Sequence, residues 1–256
     1  MLPARRELFA LWEGGSALEV DPDSLQAKGF KVWSADTQGA PFTAHPRVAP
    51  DGRVWSFGYM PGSGRLLIYE ISPNGQLRRQ HVLAAPQADM VHDFAITERH
   101  LVFLLMPLRF SGTPGAGNPL SHYLWEDTSP LVVLMIDKAD FKVQRFELPA
   151  TGVFHLANAW EQGETLQVRF VAQPDILGAM QQMDVNRSRS RSDAKTRAAQ
   201  WTHITLTPGT GQAQMQATGL DGVEFPRIHP ARNGLVTQFT TLLARSREMD
   251  ARVDGF

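Results

Sequence analysis

The chain has 256 residues, 43% of them hydrophobic, with 25 Lys and Arg against 26 Asp and Glu and a formal charge of −1. This is an ordinary globular composition, and the balanced charge gives no electrostatic reason to expect nucleic acid as a partner. The absence of cysteine excludes disulfides, thiolate zinc sites, iron–sulfur clusters and a cysteine nucleophile, so any metal must be held by histidine and carboxylate.

Taken in chain order, Met1 to Glu7 has no long apolar stretch behind its two arginines and does not read as a signal peptide. No later run reaches the roughly 18 apolar residues of a spanning helix, so a cytoplasmic protein is expected. In Ala10-Leu-Trp-Glu13-Gly14-Gly15 the paired glycines predict a tight bend that could fix a carboxylate, an ordinary turn being the simpler reading. Val54–Tyr59, Arg65–Ile71 and Gln80–Leu83 read as strands, separated by the turn signals Pro61–Gly64 and Ser72–Gly75. Strand, turn, strand, turn, strand over about forty residues is the meander of one propeller blade.

The pattern recurs. Ala95–Thr97 and Leu101–Leu105 flank a turn at Glu98–His100, and Pro130–Ile136 leads through Asp137–Asp140 into Val143–Leu148. Leu166–Val171 and Trp201–Leu206 follow. Pro46-Arg-Val-Ala-Pro50 is echoed by Pro226-Arg-Ile-His-Pro230, and each leads through a glycine into a β-rich run, which fits radially repeated blades better than a sandwich. Arg109–Asp127 lacks periodicity and is expected to be a long loop, a candidate lid. The basic, serine-rich segment Asn186–Arg197 is expected to be a solvated surface loop, since no interleaved aromatics support an RNA-binding arm.

Three histidines stand out. His45, His92 and His155 each open a similar β-rich segment, and they lie 47 and 63 residues apart, too far for one helix or hairpin to unite them. A fold that returns repeatedly to one axis would bring three imidazoles together as a metal site. His81, His100, His122 and His203 carry no such signal. There is no phosphate-binding loop ending in Gly-Lys-Ser/Thr and no Gly-x-Ser-x-Gly elbow. Asp89, Asp93, Glu126 and Asp127 could supply an acid, but their spacing singles none of them out. Tyr59 and Tyr69 fall in strand-like runs and are expected in the core.

The segments Leu8–Gly15, Phe42-Thr-Ala-His-Pro46, Val91-His-Asp-Phe-Ala-Ile-Thr97, Phe154-His-Leu-Ala-Asn-Ala-Trp-Glu161 and Glu224-Phe-Pro-Arg-Ile228 resemble, in order and across nearly the whole chain, the carotenoid cleavage oxygenase family. That family includes carotenoid and apocarotenoid dioxygenases, lignostilbene dioxygenases and the retinal pigment epithelium isomerase. The resemblance implies an all-β fold, the seven-bladed β-propeller, with a ferrous iron on its axis. It implies that His45, His92 and His155 are the first three of four histidine ligands to Fe(2+). Glu13 and Glu224 match two of three glutamates that hydrogen-bond ligand imidazoles, a contact that fixes tautomer and raises basicity. The implied reaction joins O2 to a small hydrophobic conjugated substrate, cleaving a C=C bond of a carotenoid or apocarotenoid to two carbonyl products. A stilbene-cleaving, lignostilbene-type activity is the alternative.

The family's fourth histidine and third glutamate are expected beyond Phe256, and its N-terminal closing segment before Leu8. Residues 1–256 therefore read as one partial oxygenase domain, truncated at both ends, with the basic loop 186–197 inside it. His229 lies too near Glu224 to replace the missing ligand and is expected on a surface turn. Weak iron retention is expected, with an inactive propeller fragment as the reading from another class. Membrane association is open: some members of the family reach lipid-soluble substrates through an apolar patch, which allows peripheral membrane contact; Leu104–Leu108 and Ile176–Met180 are apolar enough for a tunnel or membrane surface, blade core being the commoner role.

Overall fold

The structure is a computed structural model and describes residues 7–112, 122–182 and 197–244. It opens with a small three-stranded sheet, β1 (Leu8–Ala10), β2 (Leu18–Val20) and β3 (Ala27–Phe30). Three four-stranded antiparallel blades follow. The first runs β4 (Arg47–Val48), β5 (Val54–Tyr59), β6 (Arg65–Ile71), β7 (Leu77–Ala84). The second runs β8 (Ala95–Ile96), β9 (His100–Leu105), β12 (Leu131–Asp137), β13 (Val143–Leu148), with a short hairpin, β10 (Leu108–Phe110) and β11 (Tyr123–Trp125), inserted after β9. The third runs β14 (Gly152–Gln162), β15 (Thr165–Gln173), β16 (Gln200–Thr207), β17 (Gln212–Asp221), with helix α1 (Ile176–Gln182) between β15 and β16. A two-stranded sheet, β18 (Val223–Arg227) and β19 (Thr241–Ala244), closes the described chain.

The turns between strands follow from the sequence punctuation. At Ser72–Gly75, for example, the Gly75 amide donates to Ser72 O at 2.8 Å, and Gly75 adopts φ 80°, which an L side chain would resist. The apolar runs of the second blade are continuous because both of its faces are buried. Val102, Leu104, Val133 and Met135 face the third blade with Leu156, Val168 and Phe170. The alternate residues Leu101, Phe103, Leu105, Val132, Leu134 and Ile136 face the first blade with Trp55, Phe57, Ile68 and Phe94. This period of two, apolar on both phases, is the signature of a sheet packed between sheets.

Outer strands are polar: β17 alternates only near its start and is exposed over its last six residues. The strand positions match the sequence expectation, and two details correct it. The region expected as the unstructured loop Arg109–Asp127 contains β11 and most of β10, whose pairing Phe110↔Tyr123 and Arg109↔Leu124 makes a hairpin; residues 113–121 lie outside the description. The run Ile176–Met180 forms α1, with Ile176 and Met180 buried in the core. Leu104, Leu105, Met106 and Leu108 are core residues too. Of the basic segment, residues 186–196 lie outside the described chain; Arg197 is exposed. Among the described residues no helix is long and apolar enough to cross a membrane.

Candidate metal centre

The three histidines come together because each sits at the first strand of a blade. His45 precedes β4, His92 precedes β8, and His155 lies within β14. Their Nε2 atoms converge: His45 to His92 is 2.9 Å, His92 to His155 is 3.3 Å, and all three ligand atoms lie within 4.8 Å of one another. Ring orientations are mutually steep, 84° between His92 and His155 and 78° between His45 and His155, so the three nitrogens point at one region and the rings do not stack.

The opposite face of two of these rings is held by carboxylate. His92 Nδ1–H donates to Glu13 Oε2 at 2.6 Å, and His155 Nδ1–H donates to Glu224 Oε2 at 2.9 Å. A ring that donates from Nδ1 presents a lone pair at Nε2 when neutral. Two such lone pairs 3.3 Å apart repel, and one imidazole proton cannot serve three nitrogens. The donor set could hold a cation, and imidazoles oriented by carboxylates suit a divalent transition metal.

Burial pushes the His45 imidazole down to about 4, with Asp93 opposing and the neighbouring histidines adding to the fall. His45 is thus a neutral donor at physiological pH. For His92 burial acts against the charged form, but the hydrogen bond to Glu13 and that carboxylate's charge outweigh it and move the pKa above 6.5.

The glutamates are placed by local backbone devices. Trp12 folds its ring over the bend that follows Glu13: a Cβ on Gly14 would lie 2.6 Å from that ring, and one on Gly15 only 2.5 Å. The two glycines are therefore required by the aromatic cover, and the bend expected from them does carry a fixed carboxylate. Glu224 sits on β18, where the register slips between Glu224 and Arg227 and Phe225 takes φ 51°, a strained conformation for an aromatic residue. Its second oxygen, Oε1, accepts from Gln173 Nε2 at 2.8 Å. The Phe225 ring lies 5.0 Å from that of His155, and Phe154 is 5.7 Å from His92.

Other candidates fall elsewhere. Asp89 accepts from the Gly62 and Phe110 amides, and Glu126 pairs with exposed Arg109. His100 donates to Glu161, His81 stacks on Phe141, and His203 stacks on Trp160. His229 is exposed and caps a 3₁₀ turn, its Nδ1 accepting from the Ala231 amide. Asp93, adjacent to His92, is buried in a pair with Arg47. Sequence reasoning passed over that pair, although the signal was present: an arginine two residues after the first histidine and an aspartate directly after the second.

Comparison with known proteins agrees with this architecture. The family described as retinal pigment epithelial membrane protein matches residues 1–255. The chain is 27% identical over 243 residues to apocarotenoid-15,15'-oxygenase of Synechocystis sp., covering 89% of this chain and 48% of the relative. It is 31% identical over 165 residues to resveratrol cleavage oxygenase 1 of Aspergillus fumigatus, covering 62% of this chain and 33% of the relative. Among solved structures, cobalt-substituted Synechocystis ACO superposes with a TM-score of 0.82 at 24% identity, over 93% of this chain and 52% of that one. A D477G ACO/RPE65 chimera gives a TM-score of 0.83, also at 24% identity, over 95% and 53%. The chain thus spans about half the length, or less, of the curated relatives it matches. With a family match over 1–255, the same all-β propeller fold and the expected motifs in order, the chain belongs to the RPE65/carotenoid cleavage oxygenase family.

Proposed function

We propose that this chain forms part of a non-haem Fe(II)-dependent dioxygenase that splits a C=C bond of a carotenoid or apocarotenoid. The balance is simple: one double bond and one O2 give two carbonyl groups, and no external reductant is needed. The observation that carries the reading is the convergence of three Nε2 atoms, two of them on rings held from behind by Glu13 and Glu224. His45, His92 and His155 would hold the metal. Bound there, Fe(II) supplies the redox chemistry that lets dioxygen react with an alkene.

The protein's own residues do the rest. Glu13 and Glu224 hold the Nδ1–H groups of His92 and His155, so both rings already aim Nε2 at the common point. Phe225, 43% exposed beside His155, offers apolar surface on which a polyene can lie. A lipid-soluble substrate fits a cytoplasmic enzyme working at a membrane surface; because Leu104, Leu105, Met106 and Leu108 are buried, any membrane contact is made by other residues.

A second reading, cleavage of a stilbene-like phenol, draws support from the 31% identity to resveratrol cleavage oxygenase 1. A phenolic substrate would be favoured by phenol-binding tyrosine or lysine side chains near the metal; against it, the Tyr69 hydroxyl donates to Pro41 O at 2.9 Å and Tyr59 points to Met90 Sδ at 3.5 Å, so these two buried phenols are spent on packing. Fe(II)-reconstituted protein given an apocarotenal, and separately a stilbene, under 18O2 separates these readings. Labelled aldehydes from the apocarotenal alone support the first, and from the stilbene alone the second. Folded protein that takes up no iron and gives no product from either supports the inactive propeller fragment lacking the fourth ligand.

A further inference from the structure

The three histidine-bearing segments belong to different blades, and among the described residues no backbone ladder joins them. One side-chain pair does. Arg47, two residues after His45, donates through Nε to Phe94 O at 2.7 Å and through Nη2 to Leu156 O at 2.7 Å. Nη2 also reaches both oxygens of Asp93, at 2.8 Å and 2.7 Å. Asp93, the residue after His92, accepts in turn from the Phe94 amide at 2.8 Å and from the Leu156 amide at 2.9 Å. Leu156 is the residue after His155. Two side chains, carried two residues after His45 and one after His92, therefore bind backbone within two residues of His92 and His155.

The strand is shaped to receive them. Along β14 the pairing with β15 runs Val153↔Ala172, Leu156↔Phe170, Asn158↔Arg169, so an extra residue stands on each side of Leu156. Such bulges break the ladder locally and re-aim the side chain. Here they leave the Leu156 amide and carbonyl to Asp93 and Arg47. The Asp93 side chain is 2% exposed and that of Arg47 15%, so the pair sits in a low-dielectric setting where its hydrogen bonds resist competition from water.

We propose that the Arg47–Asp93 pair is the positioning element that sets the spacing of His45, His92 and His155 and thereby the metal affinity of the site. The inference rests on the metal reading above. It predicts that loosening the pair spreads the three Nε2 atoms without touching any of them.

Co(II) serves as the probe, titrated into the full chain and read by its d–d absorption, with thermal midpoints measured alongside. Three variants are compared with the unsubstituted protein. Asp93→Asn keeps shape but removes the charge. Arg47→Lys keeps the charge but cannot reach four acceptors at once, and is the milder variant should Asp93→Asn fail to fold. Glu70→Gln is the control: Glu70 is equally buried on β6 and pairs with Arg53 and Arg79, none of them at the histidine cluster. The expected result is at least a tenfold loss of Co(II) affinity and an altered d–d band for Asp93→Asn and Arg47→Lys, with neither change for Glu70→Gln at a similar drop in thermal midpoint. Affinity in the Asp93 and Arg47 variants no lower than in Glu70→Gln would overturn the inference.

Imidazole 15N shifts of the metal-free chain give a readout that needs no ion. Asp93→Asn and Arg47→Lys should move the signals of all three histidines, and Glu70→Gln should leave them in place. Unmoved signals in the pair's variants overturn the inference even if cobalt does not bind. Moved signals in a protein whose Co(II) binding is indifferent to His92→Ala would instead refute the metal reading and leave the pair as the spacer of three imidazoles.

Discussion

At the scale of single residues, the site depends on which imidazole nitrogen carries the proton. Glu13 and Glu224 decide this for His92 and His155 from 2.6 Å and 2.9 Å. Glu224 is itself restrained by Gln173 and by the strained turn at Phe225, so its position is set before any ligand arrives. Replacing Glu224 with alanine frees His155 to rotate and to change tautomer. Co(II) titration is expected to show a 10- to 100-fold loss of affinity, partly restored in Glu224→Gln, whose amide oxygen can still accept from Nδ1. Equal losses in both variants would mean that the carboxylate's charge matters more than its geometry. The histidines and both glutamates were legible in the sequence because their types and order match a family pattern. Arg47 and Asp93 sit at telling places beside His45 and His92, but that they form a buried pair shows only when the distant segments are brought together; in the sequence Asp93 was one of several acids.

At the scale of elements, blade strands were legible where turns punctuate them and apolar residues mark buried faces. β5, β6, β9, β12 and β13 lie within a residue or two of expectation for that reason. The elements that escaped notice bury little. β3 is exposed throughout, β17 is glutamine-rich and largely exposed, and β10 and β11 have three residues each. Helix α1 was hidden because seven residues are too few to display a 3.6 period.

The segment that leads to His45 is set by a close approach of two backbones. A Cβ on Gly58 of β5 would lie 2.0 Å from Pro41 O, the same carbonyl that accepts from the Tyr69 hydroxyl, and the Thr43 amide donates to Phe57 O at 2.7 Å. Gly58→Ala is therefore expected to push residues 41–45 off the blade. The cost should be about 1–3 kcal/mol in urea unfolding, with weakened Co(II) binding. A fully stable Gly58→Ala protein would show that the 41–45 segment is not held by this contact.

At the scale of the whole molecule, sheets related by rotation about an axis must be tied to each other as well as within themselves. Apolar packing between blades does most of this, and polar latches add to it. Glu161, on β14 of the third blade, accepts from the Thr97 hydroxyl, from the Arg99 amide at 3.2 Å and from His100 Nδ1 at 3.0 Å, in the β8–β9 turn and at the first residue of β9 in the second blade. Burial alone would raise the Glu161 carboxyl, but these hydrogen bonds prevail and hold it down at about 2 against an ordinary 4.5. Because the folded pKa lies below the unfolded one, the latch stabilises fully above pH 4.5 and is lost as pH falls from there toward 2. Urea midpoints should drop more steeply between pH 5 and pH 3 in the unsubstituted protein than in Glu161→Gln; parallel curves would show that the latch contributes nothing across that range.

The radial plan was legible from the repetition of turn-punctuated strands and from three histidines at matching places in their segments. The chain spans about half of the apocarotenoid oxygenase it resembles, and what this length can do rests on whether three histidines suffice to hold iron. The most direct test is iron content after anaerobic reconstitution with Fe(II), beside a His92→Ala control. The geometry predicts iron that the unsubstituted protein takes up but retains weakly, three histidines holding it, and that the control does not take up at all. Iron absent from both proteins, or retained equally by both, would contradict the assignment of the His45, His92 and His155 cluster as the metal centre.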